Sequence, residues 1–548
     1  MTYMQDVKIG NGTYRYKITS YRQNGKVKQH REYLGKVIVD KGRERVVKRH
    51  VTEVLTNVKE VRSCGFLTVL YKIAEEWGIS KIVDKVSPIA DRNGYGNAIL
   101  LLALNHITDR CALDRVAQWY RRSALYPLLG SEDEFTKDRL LAAMDSLVYE
   151  DEFENLFDFT QELTKMLYET SKSLIERSGS GFIYDITEVT SYSENNPYSA
   201  LGYSPTNESN NMAKVCLVTE RETRMPISIF INNGKINDKS TVKEMLNTLS
   251  TAQLGGKGSY LIEDRGMVSE DNIALHKELN LGLIVGLTSN RNDVKELISI
   301  IPEKEFLHPS NAIKRSHNEV SYIVERKFGL GKIEGKAIVC LVPGLQNNQR
   351  ASRISDINSA LAEINHRNAK RWNKTPREKI ERITDSILGP IKRFIKFEVD
   401  KETKKVNYEL DEMELEIALN TDGRFAIFST DKKLDKYEMF NAYFSRDEIE
   451  KAFRTYKGFL DLPPIRHWKR RRIICYLQIC FLSYLIQSYL MYKVRKAGLN
   501  TGWTELKFSL CQIQEVVYSN GREEKKQLVN VAPQYRTILE KIGYPLLL

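Results

Sequence analysis

Asp185 sits inside the strand-like run GFIYDIT, where a period of two puts Ile183, Asp185 and Thr187 on one face and Phe182, Tyr184 and Ile186 on the other. Asp is depleted in strands, and a charge buried there needs a partner or a metal ion to offset its desolvation. A structural salt bridge would meet that need as well as a ligand site. Asp264 closes the run SYLIED directly before Arg265 and Gly266, at the C-terminal edge of a predicted strand. Ligand sites of open α/β sheets gather at such edges, although an Asp that merely starts a turn occupies the same position.

The most informative stretch is AYFSRDEIEKAFRTYKG, with Tyr443, Arg446, Glu450 and Lys457 at offsets 0, 3, 7 and 14. On one continuous helix these fall at about 0°, 300°, 340° and 320°, an arc of about 60°. Ile449, Phe453, Tyr456 and Leu460 form an apolar stripe beside that arc, suited to fastening it to a sheet. A solvated ladder of ion pairs such as Arg446 with Glu450 would show the same spacing. Three carboxylates from distant segments are the donor set a hard cation such as Mg²⁺ requires, and two such ions suit in-line displacement at phosphorus.

With these residues in place, the sequence resembles insertion-sequence transposases of the DDE class, which carry a Tyr-x2-Arg-x3-Glu-x6-Lys signature. Tyr443, Arg446, Glu450 and Lys457 match that spacing at every position, and YDIT and EDRG resemble the family's first and second acid motifs, in the order Asp, Asp, Glu. The resemblance covers at least Gly181 to Tyr492. It implies Asp185, Asp264 and Glu450 as catalytic metal ligands for two ions of Mg²⁺ or Mn²⁺, with Tyr443, Arg446 and Lys457 contacting DNA. It also implies cleavage at the transposon ends, attack of the freed 3′-hydroxyl on target DNA, double-stranded DNA as partner, and a homodimer in the DNA complex. The long interval from Asp264 to Glu450 matches family members with an inserted, largely β domain.

These residues have to be positioned by the elements around them. The resemblance implies an α/β fold, an RNase H-like mixed-sheet catalytic core interrupted by a largely β insertion, and the sequence adds N-terminal basic β-rich and helical modules. Residues 1–62 alternate basic and apolar positions around Asn24-Gly25, a dipeptide suited to a tight hairpin turn. Residues 63–175 show apolar spacing of three and four. The strand-like runs and capped helices of 176–295 supply the first part of the core, 296–430 the insertion, 431–500 the second part with the Glu450 helix, and 501–548 a C-terminal region.

Charge points to the same partner. Residues 1–60 hold 14 Lys or Arg against 6 acids, a footprint suited to phosphates. The cluster Arg466-His467-Trp468-Lys469-Arg470-Arg471-Arg472 offers phosphate contact or a charged cap before a helix. Trp372 suits base stacking, but packing explains it better. The seven cysteines are scattered without a CxxC pair, and neither a zinc site nor a disulfide framework is signalled. A reducing, prokaryotic cytoplasm and association with DNA are expected. Ile473 to Tyr492 carries no charge over a length that would span a membrane. Its Gln, Ser and Tyr content favours a buried core helix, with no membrane as partner. Two other functions leave similar sequences: a nuclease of the same fold that does not join ends, and a DNA-binding protein with a silent catalytic fold.

Overall fold

The computed structural model describes residues 2–23, 26–40, 43–47, 58–88, 95–177, 181–190, 195–203, 209–251, 259–314, 319–370, 372, 375–447, 467–519 and 524–545. The basic N-terminal stretch forms a four-stranded antiparallel meander of β1 (Thr2–Ile9), β2 (Gly12–Gln23), β3 (Lys26–Asp40) and β4 (Arg43–Val47). Gln23 pairs with Lys26 across Asn24-Gly25, the expected turn residues, which lie outside the described residues. Helices dominate 65–174, among them α1 (Tyr95–Thr108), an almost wholly apolar segment buried along most of its length.

A ten-stranded mixed sheet is the centre of the molecule. Its strands are β5 (Gly181–Thr190), β6 (Ser209–Glu220), β7 (Pro226–Asn233), β8 (Tyr260–Glu263), β9 (Gly282–Leu287), β10 (Ala312–Lys314), β11 (Val320–Leu330), β12 (Ile333–Leu341) and β13 (Arg424–Ser429), with Ala200–Tyr203 paired to β6. The order is β7-β6-β5-β8-β9-β13-β12-β11-β10. β5, β6 and β7 form an antiparallel meander, β8 runs parallel to both β5 and β9, and β13 joins β9 antiparallel.

Alternation along the strands gives the sheet two apolar faces, each covered by helices. Ile183, Leu217, Ile262, Ile284 and Ile427 share one core with α1, with α7 (Lys436–Phe444) and with α8 (Arg470–Lys496). On the other face, Phe182, Tyr184 and Leu261 pack under α2 (Asp238–Thr251), and Leu283, Val285 and Phe428 pack under Ile273 of α3 (Glu270–Glu278) and Leu297 of α4 (Asn292–Ser299).

The stretch 296–430, expected as one largely β insertion, divides in the structure. Its strands β10 to β13 extend the main sheet, so the edge of β9 is paired rather than left open. What remains is largely helical. α5 (Pro343–Lys370), α6 (Arg377–Leu388) and the helix Glu412–Thr421 gather with the hairpin Ile395–Val399/Val406–Leu410 around their own core of Ile364, Ile380, Leu388 and Phe394. Trp372 lies in that core, its Nε1–H donated to Asn368 Oδ1 at 3.0 Å, which is a packing role.

Only the first part of the helix expected to carry all four signature residues lies among the described residues. Past Phe444 the backbone stays right-handed, with Ser445 N–H donated to Asn441 O at 2.9 Å and the Ser445 hydroxyl donated to the Ala442 carbonyl at 2.5 Å. Arg446 and Asp447 are helical. Glu450 and Lys457 lie outside the described residues.

Candidate active site

The parallel pairing of β5 with β8 sets Phe182 beside Leu261 and Ile183 beside Ile262. Two residues further along each chain stand Asp185 and Asp264. Each keeps the face of the isoleucine before it, because side chains alternate and the backbone of Asp264 is still extended. Asp185 inside β5 and Asp264 one residue past the end of β8 are thus brought to the same edge of the sheet. Alternation also excludes a neighbour: Glu263 turns to the opposite face, where its Oε1 lies 3.0 Å from Nε2 of the buried His276.

Asp264 is half-exposed, with 41% of its side chain accessible, while the Arg446 side chain facing it keeps only 8%. Oδ1 of Asp264 accepts Arg265 N–H at 2.7 Å and Arg446 Nη1–H at 3.0 Å. Among the described residues its Oδ2 accepts no hydrogen bond, so a hard oxygen donor is left for a ligand. Burial opposes the charge on Arg446. The field of Asp264, Tyr443 and Asp185 outweighs that cost and holds the guanidinium protonated above its ordinary range.

Arg446 is held in turn by Tyr443, one helical turn before it. The guanidinium carbon lies 5.3 Å from the Tyr443 ring centroid, and burial pushes the Tyr443 hydroxyl up from its usual pKa. Under the ring lies Gly286 of β9, a position the sequence reading did not single out. A Cβ there would come within 2.9 Å of Tyr443 Cζ. The glycine inside LGLIVGL was its signal, since a glycine in a buried strand often marks close approach of another group.

Asp185, Asp264, Tyr443 and Arg446 are therefore brought to one face of the sheet at the β5/β8 junction. Among the described residues no third His, Cys, Asp or Glu completes a metal-binding group with the two aspartates, and Glu450, expected to do so, lies outside them. The basic cluster is partly spent within the fold: Arg471 and Arg472 both bond Asp145, and Arg471 also reaches Glu150. Lys469 stands 5.3 Å from the centre of the exposed Trp468 ring.

Over residues 176–486, more than half its length, the chain matches the family model of the transposase DDE domain. The chain belongs to the DDE transposase family. The matched span takes in both aspartates, Tyr443, Arg446 and position 450. No curated protein matches the chain. A cryo-EM structure of the piggyBac transposase synaptic complex with hairpin DNA is similar at 11% identity and a TM-score of 0.36, over 81% of this chain and 78% of that one. As a DDE-class transposase the protein is a nucleic-acid-cleaving enzyme of DNA transposition, in a family that generally works with divalent metal ions.

Proposed function

We propose that this transposase binds the terminal inverted repeats of an insertion sequence, cleaves the phosphodiester bonds at its ends and joins them to target DNA by strand transfer, acting as a homodimer on DNA. The observation that carries this reading is the convergence of Asp185 on β5 and Asp264 just past the end of β8 around Arg446. The order β7-β6-β5-β8-β9, three antiparallel strands followed by two parallel ones, supports an RNase H-like core around them.

In this reading Asp185, Asp264 and Glu450 hold Mg²⁺ or Mn²⁺. Half-exposed carboxylate oxygens suit such hard cations. Such ions, held by these carboxylates, would supply charge stabilisation for displacement at phosphorus. The remaining work belongs to this chain's own side chains. Arg446, charged and fixed against Tyr443, orients a phosphate beside Asp264, and Lys457 adds a second cation on the DNA path. Basic residues 1–60 supply affinity for the ends.

The test is a cleavage and strand-transfer assay on DNA carrying the element's ends. Asp185→Asn, Asp264→Asn and Glu450→Gln each remove a charge at nearly constant shape. Each should cut cleavage to below about 1% of wild type while end binding stays within about threefold. A variant that keeps near-normal Mg²⁺-dependent cleavage removes its residue from the site. Cleavage without any joined product assigns the protein to the nucleases of this fold instead.

A further inference from the structure

The N-terminal meander has two faces, and they differ in charge. Cross-strand partners of an antiparallel pair share a face. On β2, Tyr14, Tyr16, Ile18 and Arg22 alternate with Arg15, Lys17 and Tyr21. The pairings extend each set across the sheet, through an irregularity between Arg15 and Tyr16.

On the face that holds Arg15, acids answer two of the five cations, and Lys8, Lys26 and Lys28 stand opposite Thr13, Gln23 and Tyr21. Arg15 bonds Asp6 at 2.7 Å and Glu44 at 2.9 Å, and Lys17 stands opposite Glu32. Its other cations, Lys8, Lys26 and Lys28, are all lysines. On the face that holds Arg22, four cations stand opposite uncharged residues, Arg22 opposite Val27, Arg31 opposite Ile18, Lys36 opposite Tyr14 and Arg45 opposite Ile38, while at the end of the hairpin Arg43 stands opposite Asp40. All four are exposed and none makes an ion pair among the described residues. Among them runs a ring cluster, with Tyr33 centred 6.2 Å from Tyr14 and 5.4 Å from Tyr16. Ile18 is buried at the middle of this face, so the cations lie around an apolar centre.

Resting on the reading of this region as the DNA-binding arm, we infer that the Arg22/Arg31/Lys36/Arg45 face is the surface laid on duplex DNA, and that it reads the phosphate backbone rather than the bases. Guanidinium groups free of internal carboxylates, set among tyrosine hydroxyls, are the donors that phosphates select. Width decides the mode. Four strands at about 4.8 Å spacing span about 14 Å before side chains are added, too broad for a major groove of about 12 Å that admits a two-stranded ribbon. The sheet therefore lies across the backbones and positions the duplex without specifying its sequence.

The experiment compares two triple variants of the full chain that remove the same charge. Arg22→Gln/Arg31→Gln/Arg45→Gln strips the proposed face, and Lys8→Gln/Lys26→Gln/Lys28→Gln strips the other. Affinity is measured by fluorescence anisotropy between about 50 and 300 mM salt, on a duplex carrying the element's end and on a scrambled duplex of the same composition. The arginine variant should bind both duplexes at least about tenfold more weakly near 0.1 M salt, with a log–log salt slope shallower by about 2 to 3. The lysine variant should stay within about threefold of wild type, with the slope changed by less than about 1. All six residues are exposed on the surface, and unchanged thermal unfolding shows that the variants fold. Loss confined to the lysine variant overturns the face assignment and leaves DNA binding by this region standing. No loss from either overturns both. Loss on the element's end alone overturns backbone reading, and loss of self-association with DNA affinity intact gives the face to a second copy of the chain.

Discussion

Two carboxylates brought to one edge of a sheet repel each other. In this transposase the compensating charge is internal. Arg446 reaches Oδ1 of Asp264 from a buried position, and the field of Asp185 adds to its hold on the proton. Oδ2 of Asp264 accepts no hydrogen bond among the described residues, so the arginine and a cation need not compete for one oxygen. Arg446→Ala should therefore move the Mg²⁺ midpoint of cleavage by less than about threefold, while slowing cleavage at saturating DNA by about 100-fold through a misplaced phosphate. Arg446→Lys keeps the charge but loses the planar fork and the seat on Tyr443, and should recover only part of that rate. Wild-type rates in both variants would reduce Arg446 to a structural ion pair. A tenfold shift in the Mg²⁺ midpoint would place it in direct competition with the metal.

At the scale of elements, the site depends on how closely α7 lies on the sheet. Gly286 leaves room for the Tyr443 ring, so Gly286→Ala should push that end of α7 outward, costing about 1 to 3 kcal/mol of stability and lowering cleavage more than DNA binding. Thermal unfolding and single-turnover cleavage on one preparation check both, and an unaltered rate would show that α7 need not sit this close. The entrance to α8 carries a titration. Burial, and then Arg472, push the His467 pKa down to about 4, against a smaller opposing pull from Asp145. The unfolded chain, with an ordinary pKa of about 6.5, takes up the proton first as pH falls. Stability from this group is thus complete above about pH 6.5 and lost between about 6.5 and 4. His467→Gln should flatten the fall in unfolding temperature between pH 7 and 5, and an identical fall in the variant would remove His467 from that role. Much of this was legible beforehand. Period two in GFIYDIT put Asp185 and Ile183 on one face, and the strand-edge position of Asp264 followed from SYLIED. The place of β10 to β13 was not, since an apolar strand pattern states that a strand is buried but not which sheet it joins.

At the scale of the whole molecule, α8 joins the helical region to the ten-stranded sheet. Among the described residues it is the one helix long and apolar enough to cross a membrane, yet 89% of its most apolar window is buried inside the fold. Its polar groups show what surrounds it. The Ser483 hydroxyl donates to the Ala103 carbonyl of α1 at 3.0 Å, Tyr489 Oη donates to Glu76 Oε1 at 2.8 Å, and Gln478 Nε2 reaches Thr164 Oγ1 at 3.5 Å. Such partners lie on two sides of the helix, where lipid would offer none. Ile473, Leu482, Leu485 and Ile486 share a core with Leu101 of α1 and with Ile229 of β7. A core helix and a membrane helix respond differently to one deletion of side-chain volume. Leu482, fully buried, loses its packing on both sides when cut back, so Leu482→Ala should cost about 2 to 5 kcal/mol. Because α8 is shared by the helices of 65–174 and the sheet, the loss should reach both end binding and cleavage as temperature rises. The measurement is urea unfolding followed by tryptophan fluorescence, with flotation on lipid vesicles in parallel. A core helix gives a lowered midpoint and no flotation. A chain that floats with the vesicles and loses less than about 1 kcal/mol on Leu482→Ala would place α8 in lipid, and the link between the two regions would have to be sought elsewhere.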